Sequence, residues 1–166
     1  MIDYFAYGSN MWQLRLEARV GPVHLRGVAL LEGCDLRWHK RSADGSGKCD
    51  IQPLPDGRVW GVVYAIPDEQ MPQLDKAESV GNGYTRETNV IVRLDGVLTA
   101  MQAYRAQPSH IDPSLRPYDW YHALVLAGAR QHMLPIEYIA AIERIATVPD
   151  PVAERGARER GAMHSR

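Results

Sequence analysis

Two alternating segments meet at an aspartate–glycine pair: YTRETNVIVRL (84–94), then Asp95-Gly96, then VLTAMQAYRA (97–106). Alternation of apolar and polar residues suits a half-buried strand, and a two-residue Asp-Gly connection is a strong short hairpin signal. The chain must therefore contain an antiparallel pair, and its other strands have to be placed around it. RVWGVVYAI (58–66) reads as a further strand, in which Gly61 marks a bulge or a close neighbour. VHLRGVALLEGCDLRWHK (23–40) supplies one long strand or two short ones, and RSADGSGKCDIQPLPDG (41–57) reads as surface loops or a hairpin.

Helices are expected in MWQLRLEARV, with its apolar spacing at Met11, Leu14 and Ala18, and in DEQMPQLDKAES, which Asp68 can cap. Two more follow the Pro-rich connection QPSHIDPSLRP: YDWYHALVLAGARQHML, then IEYIAAIERIA beyond Pro135. There is no internal repeat and no regular βαβ alternation. The fold class is α+β, a mostly antiparallel sheet rolled into a small barrel with flanking helices. Residues 1–150 form one domain, and 151–166, poor in apolar anchors, form a mobile tail.

At 166 residues with 45% hydrophobic and 23% charged residues, the chain can bury a real core as a soluble protein. A formal net charge of -1 argues against a nucleic-acid groove or an anionic membrane as partner. No apolar run is long enough to span a bilayer, and MIDYFAY lacks the pattern of a signal peptide. Cys34 and Cys49 have neither CxxC nor disulfide-framework spacing, which predicts reduced thiols and a cytoplasmic location. The six histidines form no ligand pattern, so no metal is expected.

Two places carry chemistry. In YFAYGSNM (4–11), a short apolar strand ends in Gly8, which permits close approach, and in Ser9 and Asn10, which favour helix N-caps. Free backbone N–H groups at such a turn can hold a carboxylate or a developing oxyanion, although an ordinary strand-to-helix turn has the same composition. In LDKAESVGNGY, Glu78 closes a short helix ahead of a glycine turn. A carboxylate there faces the negative end of the helix dipole, where stability alone favours Lys or Arg; the plain alternative is a solvated surface glutamate. Burial in an apolar pocket is expected to raise its pKa.

YFAYGSNM, RVWGVVYAI, LDKAES-VGNGY and MLPIEYIAAIERI, in that order, resemble the γ-glutamylcyclotransferase family over Tyr4 to Ile145. The resemblance implies a β-barrel core, a small-molecule γ-glutamyl substrate, no cofactor and a homodimer. It also implies Glu78 as acid/base catalyst. The family's substrate-binding stretch maps onto Tyr4, Phe5, Ala6, Tyr7, Gly8 and Ser9, with Asn10 completing the loop, and a pocket tyrosine maps onto Tyr121. Tyr84 and Tyr104 align with further tyrosines near the cavity. AYGSNMW and MLPIEY side with the branch acting on γ-glutamyl amino acids. The implied reaction is internal aminolysis that releases 5-oxoproline. Two alternatives stay open: a binding module of the same fold without turnover, and a cyclotransferase for γ-glutamylamines or a natural-product conjugate. The leaving-group side is expected to come from residues 42–57 and from QPSHIDPSLRP.

Overall fold

The computed structural model describes residues 1–164. Five strands, β1 (Ile2–Ala6), β2 (His24–Arg41), β3 (Gly47–Ile66), β4 (Tyr84–Leu94) and β5 (Val97–Ala106), form a closed barrel in the order β1-β3-β2-β4-β5. All neighbours pair antiparallel except β1 and β5, whose parallel bridge Tyr4↔Gln102 completes the ring. The helices α1 (Gln13–Val20), α2 (Met71–Ala77), α3 (Asp119–Gln131), α4 (Ile136–Glu143) and α5 (Ala153–His164) flank it. None of them is long and apolar enough to cross a membrane.

The expected hairpin forms. Asp95 and Gly96 both take positive φ, 49° and 80°, the backbone of a tight primed turn whose twist matches the flanking strands. Gly61 sits where β3 crosses β1. A Cβ there would stand 2.5 Å from the Ala6 carbonyl oxygen and 2.6 Å from the Phe5 ring, so the glycine lets the two strands close up.

Several local expectations give way to longer-range contacts. Ser9 and Asn10 do not cap a helix; with Met11 they form a 3-10 turn, and α1 starts after Trp12. Its buried residues are Leu16 and Val20, whereas Leu14 is exposed. Asp68 makes no capping bond and instead pairs with the α-amino group of Met1. QPLPDG, read as loop, continues β3: Pro53 pairs with Cys34 beside a register shift, and Asp56 takes φ 62°. Bulges tolerate prolines and left-handed residues that a regular ladder excludes.

The C-terminal segment, poor in apolar anchors, forms α5 and is tied down by polar ones. Asp150 accepts bonds from Trp120 Nε1 (2.8 Å) and Arg155 Nε (2.7 Å), and Arg15 bridges to Glu159 at 3.0 Å. Residues 165–166 of the expected mobile tail lie outside the described residues.

Candidate active site

Four elements converge at one end of the barrel. β1 delivers the turn Gly8–Asn10, and α2 ends at Glu78, whose amide closes the last turn on Leu74 O at 2.9 Å. β3 contributes Cys49 near its start, and α3 contributes Tyr121. Gly8 is needed for close approach: a Cβ would lie 3.2 Å from both Cys49 Cβ and Tyr121 Oη.

Between these elements is an inner slot of about 30 Å³, lined by Tyr4, Tyr7, Gly8, Ser9, Asn10 and Glu78 together with Cys49, Tyr84, Tyr104 and Tyr121. An outer chamber of about 300 Å³ adjoins it, and Ser9, Glu78, Tyr84 and Tyr121 line both. Glu78 therefore stands at the junction of two spaces, with its side chain 14% exposed.

The carboxylate is held from one side. Oε1 accepts from Asn10 Nδ2 at 2.9 Å and from Arg19 Nη1 at 2.7 Å, and Arg19 also donates to Asn10 Oδ1 at 3.0 Å. Among the described residues no donor engages Oε2. The surroundings are not the apolar pocket expected from the sequence. The chamber is strongly basic, with Arg15, Arg19, Lys40, Arg41 and Lys48 in its wall.

The slot is rimmed by neutral phenols. Burial raises the pKa of Tyr4, Tyr7, Tyr84 and Tyr121 well above the ordinary tyrosine range, so they keep their protons at neutral pH. Tyr4 Oη accepts from Asn10 Nδ2 (3.0 Å) and Tyr121 Oη accepts from the Cys49 amide (3.1 Å). Each therefore retains its own O–H for a further acceptor. Tyr7 and Tyr84 instead donate to backbone carbonyls of Tyr104 and Cys49. The backbone N–H groups of Gly8, Ser9 and Asn10 have no acceptor within the described fold. Burial pushes the Cys49 thiol up to about 12, which leaves it a poor nucleophile at the slot wall.

Of the residues predicted for the site, Tyr4, Tyr7, Gly8, Ser9, Asn10, Glu78 and Tyr121 come together. Phe5 and Ala6 do not: both side chains are fully buried in the barrel core and line neither space. Alternation puts Phe5 on the strand face opposite Tyr4, whereas Ala6 shares the Tyr4 face and is buried without reaching the slot. Tyr84 and Tyr104 do reach the slot. Ser42, Ala43, Lys48 and His110 line the chamber, so both segments expected on the leaving-group side contribute. Sequence reasoning missed Arg19 and Lys40. The spacing of Arg15 and Arg19 from the turn was the available signal for the first; only the β2–β3 register reveals the second.

The AIG2-like family pattern matches residues 58–142. The chain is 30% identical over 141 residues to the gamma-glutamylcyclotransferase of Bos taurus, covering 81% of this chain and 73% of that protein. To the Homo sapiens gamma-glutamylcyclotransferase it is 27% identical, covering 86% and 77%. A solved structure of a gamma-glutamyl cyclotransferase superposes with a TM-score of 0.82 at 25% identity, covering 95% of this chain and 98% of that one. With the barrel, the slot and these relatives in agreement, the chain belongs to the γ-glutamylcyclotransferases of the AIG2-like family.

Proposed function

We propose that the enzyme converts γ-glutamyl amino acids into 5-oxoproline and a free amino acid, with Glu78 as the proton carrier. The observation that supports this most is the placing of Glu78. One carboxylate oxygen is fixed by Asn10 and Arg19, the other has no donor among the described residues, and the group lies where slot and chamber meet. The glutamyl unit lies across the mouth of the slot beside Glu78, with one polar end in its volume of about 30 Å³, and the leaving half lies in the chamber.

In the reaction the substrate α-nitrogen attacks its own γ-carbonyl carbon, forming the ring C–N bond. The tetrahedral centre then collapses with cleavage of the bond to the leaving nitrogen. The α-ammonium first gives one proton to solvent. From the neutral amine one further proton moves from the attacking to the departing nitrogen, a single carboxylate accepting it in the first step and returning it in the second. The released amine regains the other proton from solvent. Curling the glutamyl chain over the mouth of the slot gives the intramolecular attack its geometry. The free O–H groups of Tyr4 and Tyr121 and the unpaired amides of Gly8–Asn10 are the donors available to a developing oxyanion.

The same reading has the protein act in the cytoplasm, which suits two buried free thiols, and as a homodimer, which light scattering tests. The reaction is tested by incubating the protein with a panel of γ-glutamyl amino acids, glutathione and γ-glutamyl-lysine. Equimolar 5-oxoproline and amine from a panel member is the expected result. Binding without release would favour a non-catalytic module instead.

A further inference from the structure

The outer chamber contains five cationic side chains, and four of them have acidic partners. Arg15 pairs with Glu159 (3.0 Å), Arg19 with Glu78 (2.7 Å), Lys48 with Asp44 (2.7 Å) and Arg41 with Asp112 (3.9 Å). Lys40 has none. Its residue is only 6% exposed, its Nζ lies over the Tyr84 ring at 4.6 Å, and it makes no hydrogen bond or ion pair among the described residues. A ring face offers no lone pair to the three ammonium protons.

The sheet register sharpens the point. Lys40 and Lys48 are directly opposed across the β2–β3 pair, an arrangement of like charges that a sheet disfavours. Asp44, in the intervening turn, bonds Lys48 directly at 2.7 Å and reaches Lys40 only through space, as Glu78 does. Burial holds the Lys40 pKa below that of a free lysine, while the charge of Glu78 across the chamber works against the drop. The ammonium faces the open chamber with no anion bonded to it, so an incoming carboxylate can meet its protons with a charge-assisted bond.

We propose that Lys40 is the counter-ion for a carboxylate on the leaving half of the substrate, and so the residue that selects γ-glutamyl conjugates of amino acids over γ-glutamylamines. This rests on the cyclotransferase reading of the Glu78 site. With the glutamyl unit at the mouth of the slot and the scissile bond at Glu78, the leaving half is in the chamber whose wall holds Lys40. The carboxylate would bond the one chamber cation that, among the described residues, has no acid in direct contact, and the Arg41 and Lys48 side chains on the same wall add to the attraction without being displaced from their acids.

The test compares γ-glutamyl-alanine with γ-glutamyl-ethylamine, which differ only by the carboxylate, in wild type, Lys40→Met and Lys40→Arg. A charge-assisted bond of this kind is expected to give the wild type a preference of roughly 10- to 100-fold in kcat/KM for the alanine conjugate. Lys40→Met should collapse that ratio toward one, chiefly through the KM of the alanine conjugate, and Lys40→Arg should restore much of it. Equal wild-type efficiency on both compounds overturns the assignment. So does an equal loss on both in Lys40→Met, which would mark a structural role beneath Tyr84. Should Lys40→Met fail to fold, Lys40→Gln and the wild-type ratio decide in the same way. Failure of the wild type to release 5-oxoproline from either compound overturns the cyclotransferase reading itself, and the assignment falls with it.

Discussion

Glu78→Gln separates chemistry from architecture in this site. The amide carbonyl of glutamine can still accept from Asn10 Nδ2 and Arg19 Nη1, the two bonds that Oε1 makes at 2.9 and 2.7 Å. What disappears is the negative charge of a partly buried pair whose side chains are 24% and 14% exposed. Losing charge assistance from such a pair costs about 1 kcal/mol of stability. In a domain of this size that lowers Tm by about 2–4 °C. The loss of a positioned proton carrier is far larger, about 10²–10⁴ in kcat, or roughly 3–5 kcal/mol in the barrier. The assay is stopped-time quantification of 5-oxoproline from γ-glutamyl-alanine, run beside thermal melting. A variant that melts within a few degrees of wild type and has lost at least two decades of kcat is expected. A Glu78→Gln protein retaining kcat within about tenfold would refute the proton-carrier role, since general acid–base catalysis is not worth so little.

Gly8→Ala should fold, because the new Cβ would meet Cys49 and Tyr121 at 3.2 Å, tight but not prohibitive. It intrudes on a slot of only about 30 Å³, so kcat/KM is expected to fall by about 10², read by steady-state kinetics. Gly61→Ala tests the barrel instead: a Cβ 2.5 Å from the Ala6 carbonyl forces β1 and β3 apart. The cost is about 1–3 kcal/mol, a drop in Tm of roughly 2–12 °C on melting. Acid should release α5. Hydrogen bonds from Arg155 hold the Asp150 carboxyl below its ordinary range, so its folded-state pKa lies under the unfolded value of about 3.9. The stabilisation is complete above that value and is lost as pH falls through the folded-state pKa. Limited proteolysis within 150–164 should therefore accelerate on acidification, and Asp150→Asn should show the fast cleavage already at neutral pH.

The parts of the fold that sequence foretold are those decided within a few residues. Asp95-Gly96 sets its hairpin through its own backbone angles, and the helix carrying Glu78 ends where Gly81 and Gly83 follow. Local rules fail where a distant group outbids them. Ser9 and Asn10 have the chemistry of helix caps, but the Ser9 hydroxyl accepts from Arg15 Nε at 3.1 Å and Asn10 bonds to Glu78, sixty-eight positions away. A side chain engaged that way is not available to cap, and α1 starts later. The prolines of QPLPDG are loop formers by local preference, yet the bulged β2–β3 ladder absorbs them.

The basic chamber was hidden for a related reason. Lys40 and Lys48 lie eight positions apart in sequence, and whether they oppose each other depends on the register shift between Arg37 and Lys40, which no count of alternating residues predicts. Once the register is known, the charges order themselves. Arg19 bonds Glu78 and Asn10, tying the YGSN turn to the end of α2, and Arg15 spans from the Ser9 hydroxyl to Glu159 on α5. Two arginines one helical turn apart thus divide the work: one fixes the carboxylate, the other fixes the C-terminal helix over α1. Glu78 is therefore held by two bonds on the proposed glutamyl side, whereas on the proposed leaving-group side Lys40 has no acid in direct contact among the described residues. A loss of geometry should depress every substrate alike, whereas a change at Lys40 should re-rank them. On the proposed reading catalytic power and selectivity are separable, because the end of α2 supplies Glu78 and β2 supplies Lys40.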